Sequence, residues 1–189
     1  MKTKKFIPLT LIMLLLAWPG FAEDFEIKPD LSIAAFEIPH RIGFSSGSIE
    51  FLGGKIDLDP KEMKLKSVAA TLDAESITLY DDERDPIIRS EEYFNTEKFP
   101  QIKIKSQKVS EKSLSAEVTL RDRTKKVDFD YLVWGISEDK SAEKRAYVTL
   151  YGVLHKDDFG FAYNVSDDEG RNLLGNDLHI LLRMTGSTQ

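Results

Sequence analysis

Apolar residues recur at every second position through most of this chain, and turn-forming residues interrupt them at short intervals. The clearest runs are residues 102–105, with sequence IKIK, and residues 114–120, LSAEVTL. Because successive side chains of a strand point to opposite faces, this alternation predicts half-buried β-strands. About eight such strands at short spacing indicate an all-β domain, either a sandwich or a barrel. The alternation by itself does not choose between these two architectures.

The interruptions predict where the strands bend and turn. Gly53 and Gly54 break the second apolar run, so we expect a bulge or bend there. Residues 110–113 are polar and predict a hairpin connection, and residues 120–126 predict a tight charged turn. Residues 89–95 have the texture of a short helical segment.

Residues 1–22 have the pattern of a cleaved signal peptide. Three lysines among the first five residues precede an apolar run, and the small residues Gly20 and Ala22 follow it. The apolar run is too short for a comfortable membrane span. We therefore predict export to the periplasm without a stable membrane anchor. Residues 23–189 remain as a single domain.

Composition excludes several classes of function. Removal of the three signal-peptide lysines changes the formal charge from -6 to -9, and an acidic chain is a poor partner for nucleic acid. The absence of cysteine excludes disulfides and thiol chemistry. His40, His155 and His179 show no metal-ligand spacing, and no nucleophile or phosphate-binding motif is present. We expect no metal, no cofactor and no catalytic residue.

Residues 84–106, with sequence RDPIIRSEEYFNTEKFPQIKIKS, closely resemble the central signature of the YceI family. Residues 36–40, FEIPH, residues 118–127 and residues 156–160, KDDFG, resemble further pieces of that family in the same order. The resemblance covers nearly the whole chain after residue 22. It implies a single antiparallel, eight-stranded, lipocalin-like β-barrel that binds long isoprenoid or other lipid chains. The family's histidine between Arg-Asp and Leu-Arg is missing here, which argues against a histidine metal site.

The resemblance implies that apolar side chains on the strands line a tunnel for the lipid. The candidate lining residues are Phe36, Ile38, Phe51, Ile77, Ile102, Ile104, Phe129, Tyr131, Phe159 and Phe161. The alternative is that these side chains simply fill the barrel, since an eight-stranded barrel is just wide enough to be filled or to hold one slender ligand.

His40, Arg84 and Arg89 are the candidate polar contacts to a lipid head group, because arginine donors suit phosphate and carboxylate. The preferred alternative for the arginines is that they pair with Asp85 and pin their loop to the barrel rim. For His40 the alternative is a hydrogen-bonded residue at the end of a strand.

We therefore predict a protein that binds and sequesters a long-chain apolar lipid, either a polyisoprenoid or a fatty-acid derivative, as an exported carrier or storage protein. Two alternatives remain open. One is a filled barrel that binds a protein partner in envelope stress, and the other is an enzyme acting on an isoprenoid-like substrate. A homodimer is also left open.

Overall fold

The computed structural model of this chain describes residues 22–138, 140, 142–161 and 175–188. The predicted signal peptide, residues 1–22, lies outside the described residues except for its last position.

The described residues form nine strands, one short helix and two 3-10 turns. The strands are β1 (Glu23–Ile27), β2 (Ile33–His40), β3 (Gly43–Asp59), β4 (Lys64–Thr78), β5 (Gln101–Val109), β6 (Ser113–Leu120), β7 (Arg123–Glu138), β8 (Lys144–His155) and β9 (Asp177–Ser187). The helix is α1 (Asp85–Arg89), and the 3-10 turns are Pro29–Leu31 and Lys156–Phe159.

The strands close into an antiparallel barrel. From β2 to β9 each strand pairs with the next along the chain, and β9 returns to pair with β2. The strand β1 also pairs with both β3 and β9, so β1 and β2 occupy one position in the barrel, interrupted by the turn Pro29–Leu31. This arrangement confirms the predicted eight-stranded barrel and excludes the sandwich.

The glycine pair of β3 lies where the sequence predicts a bend. The register between β3 and β4 shifts between Phe51 and Gly53. Gly53 and Gly54 have φ values of 145° and 149°, which side-chain-bearing residues rarely adopt. The bulge that was predicted there is confirmed, and such bulges add the curvature that a closing sheet needs.

The helical segment lies slightly earlier in the chain than the expected position near residues 89–95. It spans Asp85–Arg89, and residues 91–94 form a turn instead. Pro86 in the first turn presets the helical backbone angle and lacks only an amide that would have no helical partner. Ser90 then adopts an extended conformation and ends the helix.

Two aromatic rings in the interior of the barrel pack against glycines on the neighbouring strands. Phe36 is opposite Gly47, and Phe129 is opposite Gly152. A Cβ atom on either glycine would collide with the facing ring. Phe36 and Phe129 are almost fully buried, so both rings occupy space in the barrel interior.

The connections of the barrel divide between its two ends. The end called here the mouth carries the β2–β3 turn, the long β4–β5 connection with α1, the β6–β7 turn and the β8–β9 connection. The opposite end carries the β3–β4, β5–β6 and β7–β8 connections. Within the part of the chain that the structure describes, every helix is too short or too polar to cross a membrane.

Candidate functional site

An apolar pocket of about 260 Å³ opens at the mouth of the barrel, beneath α1. We call it the mouth pocket. It is lined by Ile38, Ser45, Leu79, Arg84, Ile87, Ile88, Tyr93, Phe94, Lys156, Phe161 and Leu178. Drug-sized ligands occupy clefts of ~300–1,000 Å³, so this space suits a small ligand or part of a larger one.

The β4–β5 connection supplies one wall of the mouth pocket. Ile87 and Ile88 belong to α1, and Tyr93 and Phe94 belong to the turn that follows it. Ile88 and Phe94 are buried, whereas half of the Ile87 side chain is exposed. This wall of the pocket therefore has a buried part, formed by Ile88 and Phe94, and a solvent-exposed edge at Ile87.

Asp85 and Arg89 hold α1 against β4. The Thr78 hydroxyl and the Leu79 amide donate to the two carboxylate oxygens of Asp85, each at 2.6 Å. Arg89 Nε donates to the carbonyl oxygen of Ile77 at 2.9 Å, and its Nη2 lies 3.5 Å from Asp85 Oδ2. The Thr78 hydrogen bond, then the Leu79 amide and the charge of Arg89, lower the pKa of Asp85. These bonds fix the helical wall of the mouth pocket.

Arg84 lies at the edge of the mouth pocket. Its Nε donates to Asp81 Oδ2 at 2.8 Å, and its Nη1 lies 3.4 Å from the hydroxyl of Ser45. Hydrogen bonds from Arg84 lower the pKa of Asp81. Lys156 lines the pocket from the β8–β9 connection. Two cationic side chains therefore border a mostly apolar space, an arrangement that suits an apolar chain ending in an anion.

A second, much smaller space lies deeper in the barrel. This interior void measures about 40 Å³ and is lined by apolar side chains from the strands, including Phe36, Ile102, Ile104 and Phe129. Phe94 and Leu178 line both the interior void and the mouth pocket. These two side chains separate the two spaces.

The structure divides the ten apolar candidates among several places. Ile38 and Phe161 line the mouth pocket, and Phe36, Ile102, Ile104 and Phe129 line the interior void. The remaining four lie outside both spaces.

Those four are not all alike. Phe51, Ile77 and Phe159 are buried in the core. Tyr131 lies towards the opposite end of the barrel, where its hydroxyl donates to the carbonyl oxygen of Ser110 at 2.9 Å. A role for any candidate in binding a lipid stays a prediction.

The three polar candidates also separate. Arg84 borders the mouth pocket, whereas Arg89 is directed at Ile77 and Asp85. His40 ends β2 opposite Gly43, outside the pocket lining. Arg84 does not pair with Asp85 as the alternative interpretation expects, since its short ion pair is with Asp81.

Sequence reasoning missed Ser45, Leu79, Ile87, Ile88, Tyr93, Phe94, Lys156 and Leu178, which all line the mouth pocket. Most of them lie in connections or at strand ends, where apolar alternation is weak. One signal was available in the sequence. The β4–β5 connection is mostly charged and polar, and the apolar pairs Ile87-Ile88 and Tyr93-Phe94 within it indicate side chains that pack against the barrel.

Acidic and histidine side chains do not gather into a metal site in the part of the chain that the structure describes. His155 Nδ1 lies 2.7 Å from Asp177 Oδ1, and both side chains are more than half exposed. This pair joins the facing ends of β8 and β9.

The YceI-like domain family matches residues 25–185 of this chain. This chain belongs to the YceI-like family. Its curated relatives include UPF0312 proteins of Staphylococcus aureus strains MW2 and COL. Each is 23% identical over 157 residues, which cover 82% of this chain and 92% of the relative.

Solved structures of low sequence identity share the fold. The Campylobacter jejuni YceI protein has a TM-score of 0.68 at 19% identity, covering 79% of this chain and 88% of its own. BcnA of Burkholderia cenocepacia has a TM-score of 0.63 at 13% identity, covering 84% and 98%. A polyisoprenoid binding domain from Saccharophagus degradans, implicated in plant cell wall breakdown, also has a TM-score of 0.63 at 13% identity. The match covers 87% of this chain and 98% of that domain's chain.

Proposed function

We propose that this chain binds the apolar chain of a lipid in the mouth pocket and acts by binding, without catalysis. The observation that carries the proposal is an apolar pocket bordered by Arg84 and Lys156. Removing apolar surface from water stabilises a complex by about 25 cal/mol per Å². Such a ligand needs few polar contacts, and the two cations would hold an anionic or polar head group at the edge.

The ligand class that we propose is a polyisoprenoid, with a fatty-acid derivative as the other member of the same chemistry. Membership of the YceI-like family and the shared fold of the Saccharophagus degradans polyisoprenoid binding domain support this choice. We further propose that the protein is an exported carrier or storage protein of the periplasm. The pattern of residues 1–22 supports export.

Native mass spectrometry of the protein purified from the periplasm tests the proposal most directly. We expect a bound adduct, and we expect solvent extraction to release an isoprenoid or fatty chain. Uptake of the same chains is then measured by displacement of a fluorescent apolar probe. Absence of any adduct after gentle purification, together with no uptake of prenyl or fatty chains, would overturn lipid binding.

A barrel that binds no lipid and docks a protein partner in envelope stress is the second candidate. The packing of Phe36 on Gly47 and of Phe129 on Gly152, which leaves an interior void of only about 40 Å³, favours it. The same mass spectrometry discriminates the two functions, because this candidate predicts a protein without adduct. An enzyme receives less support, since Ser45, Arg84 and Lys156 in the pocket lining are not buried.

A homodimer is a further proposal. On the outer face of β7, 67% of Trp134 and 44% of Leu132 are exposed, and 46% of Tyr151 is exposed on the neighbouring strand β8. Exposed apolar patches often mark interaction sites. Sedimentation velocity over a range of protein concentrations tests this, and a monomer at every concentration would contradict it.

A further inference from the structure

We propose that the ring of Phe94 sets how much of an apolar chain this barrel admits. This inference rests on the proposed lipid binding and adds a residue that determines chain length. Phe94 forms the floor of the mouth pocket and, on its other side, part of the lining of the interior void.

The backbone that carries Phe94 is tied to α1. The Phe94 amide donates to the carbonyl oxygen of Ile88 at 3.1 Å, and the Asn95 amide donates to the carbonyl oxygen of Ser90 at 2.8 Å. The Thr96 amide closes the same loop by donating to the carbonyl oxygen of Arg89 at 3.1 Å. Because Asp85 and Arg89 tie α1 to β4, the position of Phe94 is fixed relative to the barrel wall.

The Phe94 side chain is also held by its neighbours. Its ring centroid lies 5.0 Å from that of Phe161, with the ring planes tilted by 50°, a favourable aromatic arrangement. Only 6% of Phe94 is exposed. The ring is therefore a packed partition and not a solvent-exposed side chain that happens to lie near the pocket.

The volumes on the two sides of the Phe94 ring differ, and this difference limits the length of chain that can be buried. A chain that enters at the mouth finds about 260 Å³ before it meets Phe94, and beyond the ring lies a void of about 40 Å³. Carbons added to the chain strengthen binding only while the mouth pocket accepts them. Phe94 and Leu178 together separate the two spaces, so removal of the Phe94 ring opens one side of this partition and adds the volume of the ring itself. Longer chains should then gain buried carbons.

Saturated fatty acids of increasing length measure this directly. Calorimetric titration of the full chain with hexanoate through hexadecanoate, each below its micelle concentration, gives affinity against length. Each buried methylene strengthens binding by roughly fourfold. For the natural sequence we expect affinity to rise with the shorter acids and then to level off before hexadecanoate.

Two variants and a matched control complete the experiment. In Phe94→Ala we expect the plateau to move to longer acids, with hexadecanoate binding at least about tenfold more tightly than to the natural sequence. Phe94→Leu removes less volume and should show a smaller shift in the same direction. Phe25→Ala deletes a fully buried ring in β1, near the opposite end, and should leave the plateau in place.

The outcomes separate this inference from the proposed function. If no fatty acid or prenyl chain binds any of the proteins, lipid binding itself is wrong. If the natural sequence gains affinity steadily up to hexadecanoate, lipid binding stands and the role of Phe94 is wrong. An equal shift of the plateau in Phe25→Ala would also overturn the role of Phe94, because general loosening of the core would then explain it.

Discussion

At the scale of single residues, the interior of this barrel depends on glycines that leave room for aromatic rings. Phe129 is 1% exposed and covers Gly152 on the neighbouring strand. A Cβ atom on Gly152 would lie 2.5 Å from the nearest carbon of the Phe129 ring. Such pairs fill a barrel without widening it, because the ring takes the place of the missing side chain.

We predict that Gly152→Ala destabilises the fold by about 1–3 kcal/mol, since overpacking forces a buried ring to move. The free energy of unfolding from denaturant titration measures the effect. Gly43→Ala is the matched control, because its Cβ would lie 3.5 Å from the His40 ring, an ordinary contact. Equal losses of stability in the two variants would contradict the steric explanation.

At the scale of elements, the short helix α1 owes its position to two side chains. Five residues are too few for a helix that is stable by itself. Asp85 accepts hydrogen bonds from β4 and the residue that follows it, and Arg89 donates to β4. The helix therefore forms where the barrel provides partners, and it brings Ile88 and Phe94 over the mouth.

We predict that Asp85→Ala loosens α1 while the barrel stays folded. Hydrogen exchange of the Ile88 and Phe94 amides should accelerate by roughly tenfold or more, because the bonds that tie α1 to β4 are lost. Asp82→Ala changes an exposed carboxylate of the same connection and is the control. Unchanged exchange in Asp85→Ala would show that apolar packing alone holds α1.

Acidification should also release α1. The pKa of Asp85 is lowered in the folded state by its hydrogen bond from Thr78, by the hydrogen bond from the Leu79 amide and by the positive charge of Arg89. Because the folded pKa is below the unfolded one, the carboxylate stabilises α1 above about pH 4, and this stabilisation is lost as the pH falls through the folded pKa. We expect the protection factor of the Ile88 amide, the ratio of the intrinsic exchange rate at a given pH to the observed rate, to fall below about pH 4. In Asp85→Asn this fall should be absent.

At the scale of the whole molecule, two strands, β1 and β2, close the barrel by filling the same position between β3 and β9. Near the mouth β2 joins β3 to β9, and near the opposite end β1 makes the same connection. β1 buries Phe25 and Ile27, and Glu23 meets Lys144 of β8 at 2.8 Å. β1 thus covers strand edges that would otherwise be open to pairing with another chain.

We predict that deletion of residues 23–27 destabilises the barrel by at least about 3–5 kcal/mol, the usual cost of losing one large buried aromatic side chain. The exposed edges of β3 and β9 should also promote aggregation on warming. Denaturant titration and light scattering measure the two effects. Glu23→Gln removes only the ion pair with Lys144 and should shift the unfolding midpoint slightly. A large shift in this variant would show that β1 stabilises the barrel through this ion pair and not through burial of its apolar side chains.

Most strands from β2 to β7 could be predicted from the sequence because strand formation is a local matter, whereas β1 was not predicted. Alternation predicted β5 and β6 as half-buried strands, and Gly53 with Gly54 predicted the bulge in β3. The pocket could not be located in the same way. Ile88 and Phe94 lie in a connection without periodicity, so nothing local shows which cavity they face.

The sequence by itself determined the all-β class, most of the strands and several turns, since side-chain alternation and glycine conformation act between neighbouring residues. Closure of the barrel agreed with the family resemblance, but its seam, with β1 and β2 sharing one position, depends on pairing across the whole chain. Only the tertiary structure decided that Phe36 and Phe129 fill the interior and that α1 builds a pocket at the mouth. The free volume inside a barrel depends on how side chains from distant strands pack together, and the local sequence pattern of one strand does not determine it.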